Sequence, residues 1–203
     1  MEYGRYLSEV IPSKDSLKLV QEEAKKYQEA HTAEECLTTA LTLYQSDNFQ
    51  IQEVGVLLCG YSGKERPEAI GFLKNTVSKH ESWKVQEILA MAFDIHCRTI
   101  GYENALPLIH EWFACSDANV RRSVSEGLRI WTNRPYFKSH AEEAIRLLAA
   151  QRYDPSEYCR KSIGNALRDI SKKFPQLIRS ELESWDISSR EIRQVSLLAG
   201  RFV

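Results

Sequence analysis

One pattern returns five times along this chain, and a chain that repeats itself every 34 to 39 residues has few folds open to it. Laying "NVRRSVSEGLRIW" over "EYCRKSIGNALRDI" at an offset of 39 pairs Arg121 with Arg160, Arg122 with Lys161, Ser123 with Ser162, Val124 with Ile163, Leu128 with Leu167 and Arg129 with Arg168. "WKVQEILAMAFD" aligns 35 residues earlier, with Val85 under Val120, and "FQIQEVGVLLCG" a further 34 back, with Ile51 under Val85. A fifth, weaker copy is "REIRQVSLLAG" at 190–200. Another amphipathic stretch precedes each copy: "AEECLTTALTLYQ", "PEAIGFLKNTVSKH", "NALPLIHEWFACS", "AEEAIRLLAAQ" and "QLIRSELESW".

The period inside each copy is helical. Val120, Ser123, Val124, Gly127, Leu128 and Trp131 fall at i, i+3, i+4, i+7, i+8 and i+11, and Cys159, Ser162, Ile163, Ala166, Leu167 and Ile170 repeat the stripe. Asp117 and the run Asp154-Pro155-Ser156 stand where helices start, and Pro67, Pro107, Pro135 and Pro175 lie near boundaries or first turns. No run alternates as a strand would. The expectation is an all-α, HEAT-like helical-repeat solenoid of about five helical hairpins, in one domain over 1–203. It has an N-terminal helix at about 13–30 and repeats at about 33–60, 65–98, 103–132, 139–172 and 174–203. Small stripe residues such as Ser123, Gly127, Ser162 and Ala166 then let successive second helices pack closely into one wall.

Charge is distributed unevenly over this frame. The formal net charge is −1, but residues 1–115 hold 11 Lys/Arg against 17 Asp/Glu, a net of −6, and residues 116–203 hold 16 against 11, a net of +5. On the edge of the second helices opposite the stripe sit Arg122, Glu126 and Arg129 in one repeat, and Lys161, Asn165, Arg168 and Lys172 in the next. Earlier repeats place Gln52-Glu53 and Gln86-Glu87 where the later ones place Arg121-Arg122 and Arg160-Lys161. Several cations at helical spacing are what a phosphate backbone requires, since each contact releases condensed counterions. The same spacing also describes a solvated face of surface ion pairs, with Glu126 balancing Arg122 and Arg129.

Other chemistries are excluded or unsupported. No window approaches the roughly 18 apolar residues of a membrane helix, and the start "MEYGRYLSEVIPSKDS" lacks a signal-peptide core, so a soluble cytoplasmic, nucleoid-associated protein is expected. Five scattered cysteines (Cys36, Cys59, Cys97, Cys115, Cys159) read as reduced, buried thiols. The five histidines are never paired at zinc-ligand spacing, so no metal is expected, and "GYSGKE" lacks the glycine spacing of a phosphate-binding loop. No serine elbow is present.

"VRRSVSEG", followed some 30 residues later by "DPSEYCRKSIGNALRDISKKFPQLIRSELESW", resembles the DNA alkylation repair glycosylases of the AlkC and AlkD type, clearly over about 83–185. The resemblance implies a cofactor-independent, monomeric enzyme that excises cationic N3- or N7-alkylated purines from double-stranded DNA. A base already positive is a good leaving group, so the protein's task is to stabilise a developing oxocarbenium sugar and to place a water. On this resemblance Glu126 matches the acidic position and is the expected catalytic carboxylate. Arg160 and Lys161 match a basic pair on the DNA backbone, Arg121, Arg122, Arg129, Asn165, Arg168 and Lys172 extend the track, and Trp185 is expected against the lesion or sugar. Packing within the repeat is the other reading of Trp185, and Trp131 lies on the apolar stripe as core.

The chain departs from the family in two places. "LRIWTNRP" stands where an AlkC-like chain continues with a proline-rich run, and the AlkD-type Trp-x-x-x-Asp spacing is missing: Trp112 and Asp117 are five apart, and Trp83 is followed at that spacing by Glu87. Three readings therefore stand together: a glycosylase, a DNA-binding relative that does not cleave, and a protein-interaction scaffold using the acidic N-terminal half.

Overall fold

The computed structural model describes residues 2–11 and 16–203, and among them every regular element is a helix. The chain divides into two compact units, Met1–Ile100 and Gly101–Val203. The first holds α1 (Glu2–Val10), α2 (Leu17–Ala30), α3 (Ala33–Leu43), α4 (Phe49–Ser62), α5 (Glu68–Asn75) and α6 (Trp83–Ile100). The second holds α7 (Leu106–Phe113), α8 (Ala118–Gly127), α9 (Pro135–Ser139), α10 (Ala141–Ala149), α11 (Glu157–Ser171), α12 (Pro175–Glu183) and α13 (Arg190–Ala199). α3–α4, α5–α6, α7–α8, α10–α11 and α12–α13 are the paired helices of a HEAT-like repeat fold, the class expected from the periodicity. The expected helix at about 13–30 corresponds to α2 from Leu17 onward, and positions 13–15 lie outside the described residues.

In the first unit α4 is the central element, packed on α2, α3 and α6. Its segment Val54–Gly60 is buried on all sides, as a helix apolar all round must be. Full burial of Leu57 and Leu58 stabilises the unit by about 2 kcal/mol each. Two glycines permit the close crossings: a Cβ on Gly55 would lie 2.7 Å from the Ala40 carbonyl oxygen, and one on Gly60 would lie 2.5 Å from the Ala92 carbonyl oxygen. Side chains cap the helix starts. Thr32 and Glu35 form a reciprocal capping box on α3, and Asn48 accepts from the Gln50 N–H on α4.

In the second unit α11 takes the central place, against α8, α10, α12 and α13. The stripe residues Val120, Val124, Ile163, Leu167 and Ile170 are all within 1% of full burial. Ser125 of α8 and Ser162 of α11 share a hydrogen bond of 2.5 Å across the helix contact. Asp117 caps α8 and Ser156 caps α11, each with its side chain accepting a backbone N–H.

One expectation needs correcting here. The stripe predicts a helix continuing to Trp131, but α8 stops at Gly127. Arg134 Nη2 donates to the carbonyls of Gly127 and Arg129 at 3.0 and 3.1 Å, satisfying carbonyls that a continued helix would have bonded. Trp131 reaches the core from a short 3-10 turn, Trp131–Asn133, where it stacks on Phe113 and tilts against Phe137. Two short helices, α1 and α9, were not expected from the pattern. Four of the five cysteines are buried and all are free thiols, and burial pushes Cys59 up to about 12 and Cys36 and Cys159 up to about 11.

Candidate nucleic-acid interface

The first of the two aligned columns has the same geometry in all five repeats. Gln52 Nε2 donates to the Ser46 carbonyl at 2.8 Å, and Gln86 Nε2 to the His80 carbonyl at 2.6 Å. Arg121 Nη1 donates to the carbonyls of Cys115 and Ser116, both at 2.8 Å, and Arg160 Nη1 to those of Asp154 and Pro155 at 2.7 and 3.1 Å. Arg193 Nε donates to the Ile187 carbonyl at 3.3 Å. In each repeat the side chain thus reaches back six residues and braces the loop that leads into its own helix by donating to one of its carbonyls.

This corrects the expected placement of two cations. Arg121 and Arg160 are each 8% exposed, turned into the loops instead of lining an outer face. Arg121 also grips Asp154 with two parallel bonds, Nε to Oδ2 at 2.6 Å and Nη2 to Oδ1 at 2.8 Å, which staples α8 to the loop before α11. The hydrogen bond from Arg121 to Asp154 raises the guanidinium pKa further, outweighing the effect of burial. Arg160 Nε goes to Gln194 Oε1 at 2.8 Å. Arg122 is 9% exposed and lies over the Tyr158 ring at 4.1 Å, with the ring itself 54% exposed.

The remaining charged residues converge at the C-terminal ends of α8 and α11, around a residue that the repeat alignment did not single out. Asp169, with its side chain 7% exposed, accepts from Arg129 Nε at 2.8 Å and from Lys172 Nζ at 3.2 Å, and Arg168 Nη2 stands 3.6 Å away. Arg129 also bridges to Glu126 Oε2 at 3.1 Å. Burial pushes the Asp169 carboxyl up, but the hydrogen bonds from Arg129 and Lys172 outweigh it and hold the group below the usual carboxylate range. Phe202, half-exposed, extends the cluster, with Lys172 Nζ 5.5 Å and the Arg201 guanidinium 5.9 Å from its ring centre. Arg129, Arg168, Lys172 and Arg201 against Glu126 and Asp169 leave a formal surplus of two positive charges. Asp169 lies 40 residues from Arg129, and the only signal for it was its place beside Arg168, the partner of Arg129 in the repeat alignment.

Lys161 stands one helical face along, in an exposed pair with Glu157 at 2.7 Å, and Asn165 is half-buried between Lys161 and Arg168 on α11. Trp185 does not present its ring to a ligand. It is 7% exposed, its Nε1 donates to Glu181 Oε1 at 2.8 Å, and the Arg152 guanidinium lies over the ring at 5.4 Å. Of the four tryptophans only Trp83, at the start of α6, is largely exposed, at 66%. Among the described residues no group of three or more His, Cys, Asp or Glu is arranged to hold a metal ion, and no helix is long and apolar enough to cross a membrane.

Comparison with known proteins bears on this arrangement. A family model described as DNA alkylation repair enzyme matches residues 16–197. The crystal structure of AlkD2 from Streptococcus mutans superposes with a TM-score of 0.94 at 45% identity, covering 100% of this chain and 98% of that one. The crystal structure of smu.31 from Streptococcus mutans UA159 gives 0.92 at 46%, with the same coverage. The uncharacterized protein YhaZ of Bacillus subtilis (strain 168) is 34% identical over 90 residues, which is 42% of this chain and 25% of that protein, so the chain spans only a quarter of this relative.

Proposed function

The chain belongs to the DNA alkylation repair enzyme family, and we propose that it serves this repair by holding double-stranded DNA against the cations at the ends of α8 and α11. The observation that carries the reading is the convergence of Arg129, Arg168 and Lys172, from two adjacent repeats, on a patch with surplus positive charge that stays open to solvent at Lys172. Lys161 and Asn165 continue the track along α11. Such an array takes up backbone phosphates one per cation, independently of base sequence. A monomer suffices for it, and the lesion is an alkylated base within the duplex.

Retention of the duplex without base cleavage is the form of this function that the geometry favours. The expected catalytic carboxylate, Glu126, already carries the Arg129 guanidinium at 3.1 Å. The pair takes up Oε2 and shares the carboxylate's charge with a guanidinium, which weakens the attraction left for a developing sugar cation. Trp185, the aromatic expected at the lesion, is covered. Excision of N3- or N7-alkylated purines is the second reading, and it rests on Glu126 itself: its side chain keeps 20% exposure and stands in the "VSEG" motif beside the cation cluster.

Base release from methylated duplex DNA by wild type and Glu126→Gln, run beside a salt titration of duplex affinity, separates the readings. Affinity that falls steeply with salt, without release of free base, is the expected result. Release of N3-methyladenine or N7-methylguanine by wild type but not by Glu126→Gln would establish excision. Duplex affinity that is absent or insensitive to salt would return the chain to the scaffold reading.

A further inference from the structure

Resting on the DNA-binding reading above, we propose that Asp169 is an internal stand-in for a backbone phosphate: a positioning carboxylate that holds Arg129, Arg168 and Lys172 in array and competes with DNA for them. Three cations from two repeats face one buried carboxylate, through Arg129 Nε at 2.8 Å, Lys172 Nζ at 3.2 Å and Arg168 Nη2 at 3.6 Å. Two of these contacts are held differently from the third. The Arg129 contact is short and half-enclosed, and Arg129 is tied on its other side to Glu126. Lys172 is 53% exposed and can turn outward to an incoming phosphate at little cost, and Arg168, 20% exposed, stands beyond direct hydrogen-bond distance and has no short bond to the carboxylate to give up.

Long side chains lose rotamer freedom when they grip a ligand, and a carboxylate that already orders them removes part of that cost. The same carboxylate lowers the local potential, because an anion at the centre of the patch offsets one of its positive charges. Asp169 thereby sets two opposite quantities. It improves the geometry of the grip and reduces the number of cations whose charge is free for phosphate. Removing the charge while keeping the shape separates the two.

The test uses the full chain as wild type, Asp169→Asn and Asp169→Glu, each checked for an unchanged helical circular-dichroism spectrum. Each is measured for affinity to a short duplex oligonucleotide over a range of salt and for the salt at which it leaves a heparin column. Asn keeps an oxygen for Arg129 Nε but no charge. Glu keeps the charge but adds a methylene in a buried place. Competition predicts that Asp169→Asn binds duplex several-fold tighter at low salt, with a log–log salt slope steeper by about 0.9, one phosphate equivalent. It should also leave heparin at higher salt, while Asp169→Glu stays near wild type in both. Asp169→Asn that matches wild type or binds more weakly overturns the proposal, whatever Asp169→Glu does, because Asp169 then does not compete with DNA for the cations. Wild type that ignores duplex at every salt overturns the DNA reading instead, and the order in which the three proteins leave heparin still decides the role of Asp169.

Discussion

The two units share a repeat plan and differ in what they place on it. In the first unit the loop brace is made by glutamine, Gln52 and Gln86, and in the second by arginine, Arg121, Arg160 and Arg193, yet each reaches the carbonyl six residues back. The backbone needs only a donor at that point, and an amide meets the need as well as a guanidinium. Arginine is therefore not required by the fold. The next column differs more: Glu53 is 3% exposed in the first unit, whereas the second places Arg122 over the Tyr158 ring and Lys161 in an exposed pair with Glu157. The first unit holds 11 Lys/Arg against 15 Asp/Glu, a net of −4, and the second 16 against 13, a net of +3, on the same repeat plan, so the charge is not a consequence of helix packing.

The contrast between the two braces breaks most sharply at Asp154. Its side chain is 2% exposed and that of Arg121 10%, so Asp154→Ala strands a buried guanidinium. A loss of about 3–5 kcal/mol in unfolding free energy is expected, read from the midpoint of urea denaturation. Gln86→Ala removes a neutral hydrogen bond from the matching place in the first unit and is expected to cost about 1 kcal/mol. Equal losses would mean that the charge on the second unit's brace contributes nothing to its strength.

A smaller effect separates the close helix crossings of the two units. A Cβ on Gly60 meets the Ala92 backbone at 2.5 Å, and one on Gly164 meets the Leu198 side chain at 2.7 Å and 2.9 Å. Neither backbone nor the Leu198 Cβ fixed to it can turn aside, but the Leu198 Cδ1 at 2.9 Å can, and the nearest backbone atom, the Val195 carbonyl oxygen, is at 3.2 Å. Overpacking costs about 1–3 kcal/mol, against which alanine gains about 0.5–1 kcal/mol over glycine within a helix. Gly60→Ala, which meets only backbone, is expected to lose about 2 kcal/mol and Gly164→Ala about 1 kcal/mol, in the same denaturation experiment. The reverse order would show that the second unit is the more tightly set.

Periodicity carries the fold because burial enforces it, as Val120, Val124, Leu167 and Ile170 show by lying fully inside. It carries no information on where a stripe's helix ends, and so Trp131 was placed on a helix that Arg134 terminates before it. α1 carries the helical spacing in Tyr3, Tyr6, Leu7 and Val10, at i, i+3, i+4 and i+7, but over only 9 residues and outside the repeat. For the candidate site, the repeat columns located the cations, but a column does not say which way a long side chain turns. Arg121 and Arg160 turned back to their loops because free carbonyls lie within reach there. Asp169 could not be read at all from one repeat, since its function arises only when the next repeat brings Arg129 against it.

The least disruptive change gives the finest test of that distinction between brace and contact. Arg160→Gln rewrites the second unit's brace in the first unit's chemistry. Unlike Arg121, Arg160 bonds Gln194 and two carbonyls, so no buried carboxylate is stranded when its charge goes. A glutamine amide can still donate to the Asp154 carbonyl as Gln86 does to that of His80, and the expected loss is about 1–2 kcal/mol, the bonds to Gln194 and to the Pro155 carbonyl. Because the guanidinium is only 8% exposed, its removal should leave the salt slope of duplex binding nearly unchanged, whereas Lys172→Gln, at the open edge of the Asp169 cluster, should lower it by close to 0.9. If Arg160→Gln instead lowers the slope as far as Lys172→Gln does, Arg160 leaves its loop to meet the phosphate, and the arginine braces of the second unit are part of the grip as well as of the fold.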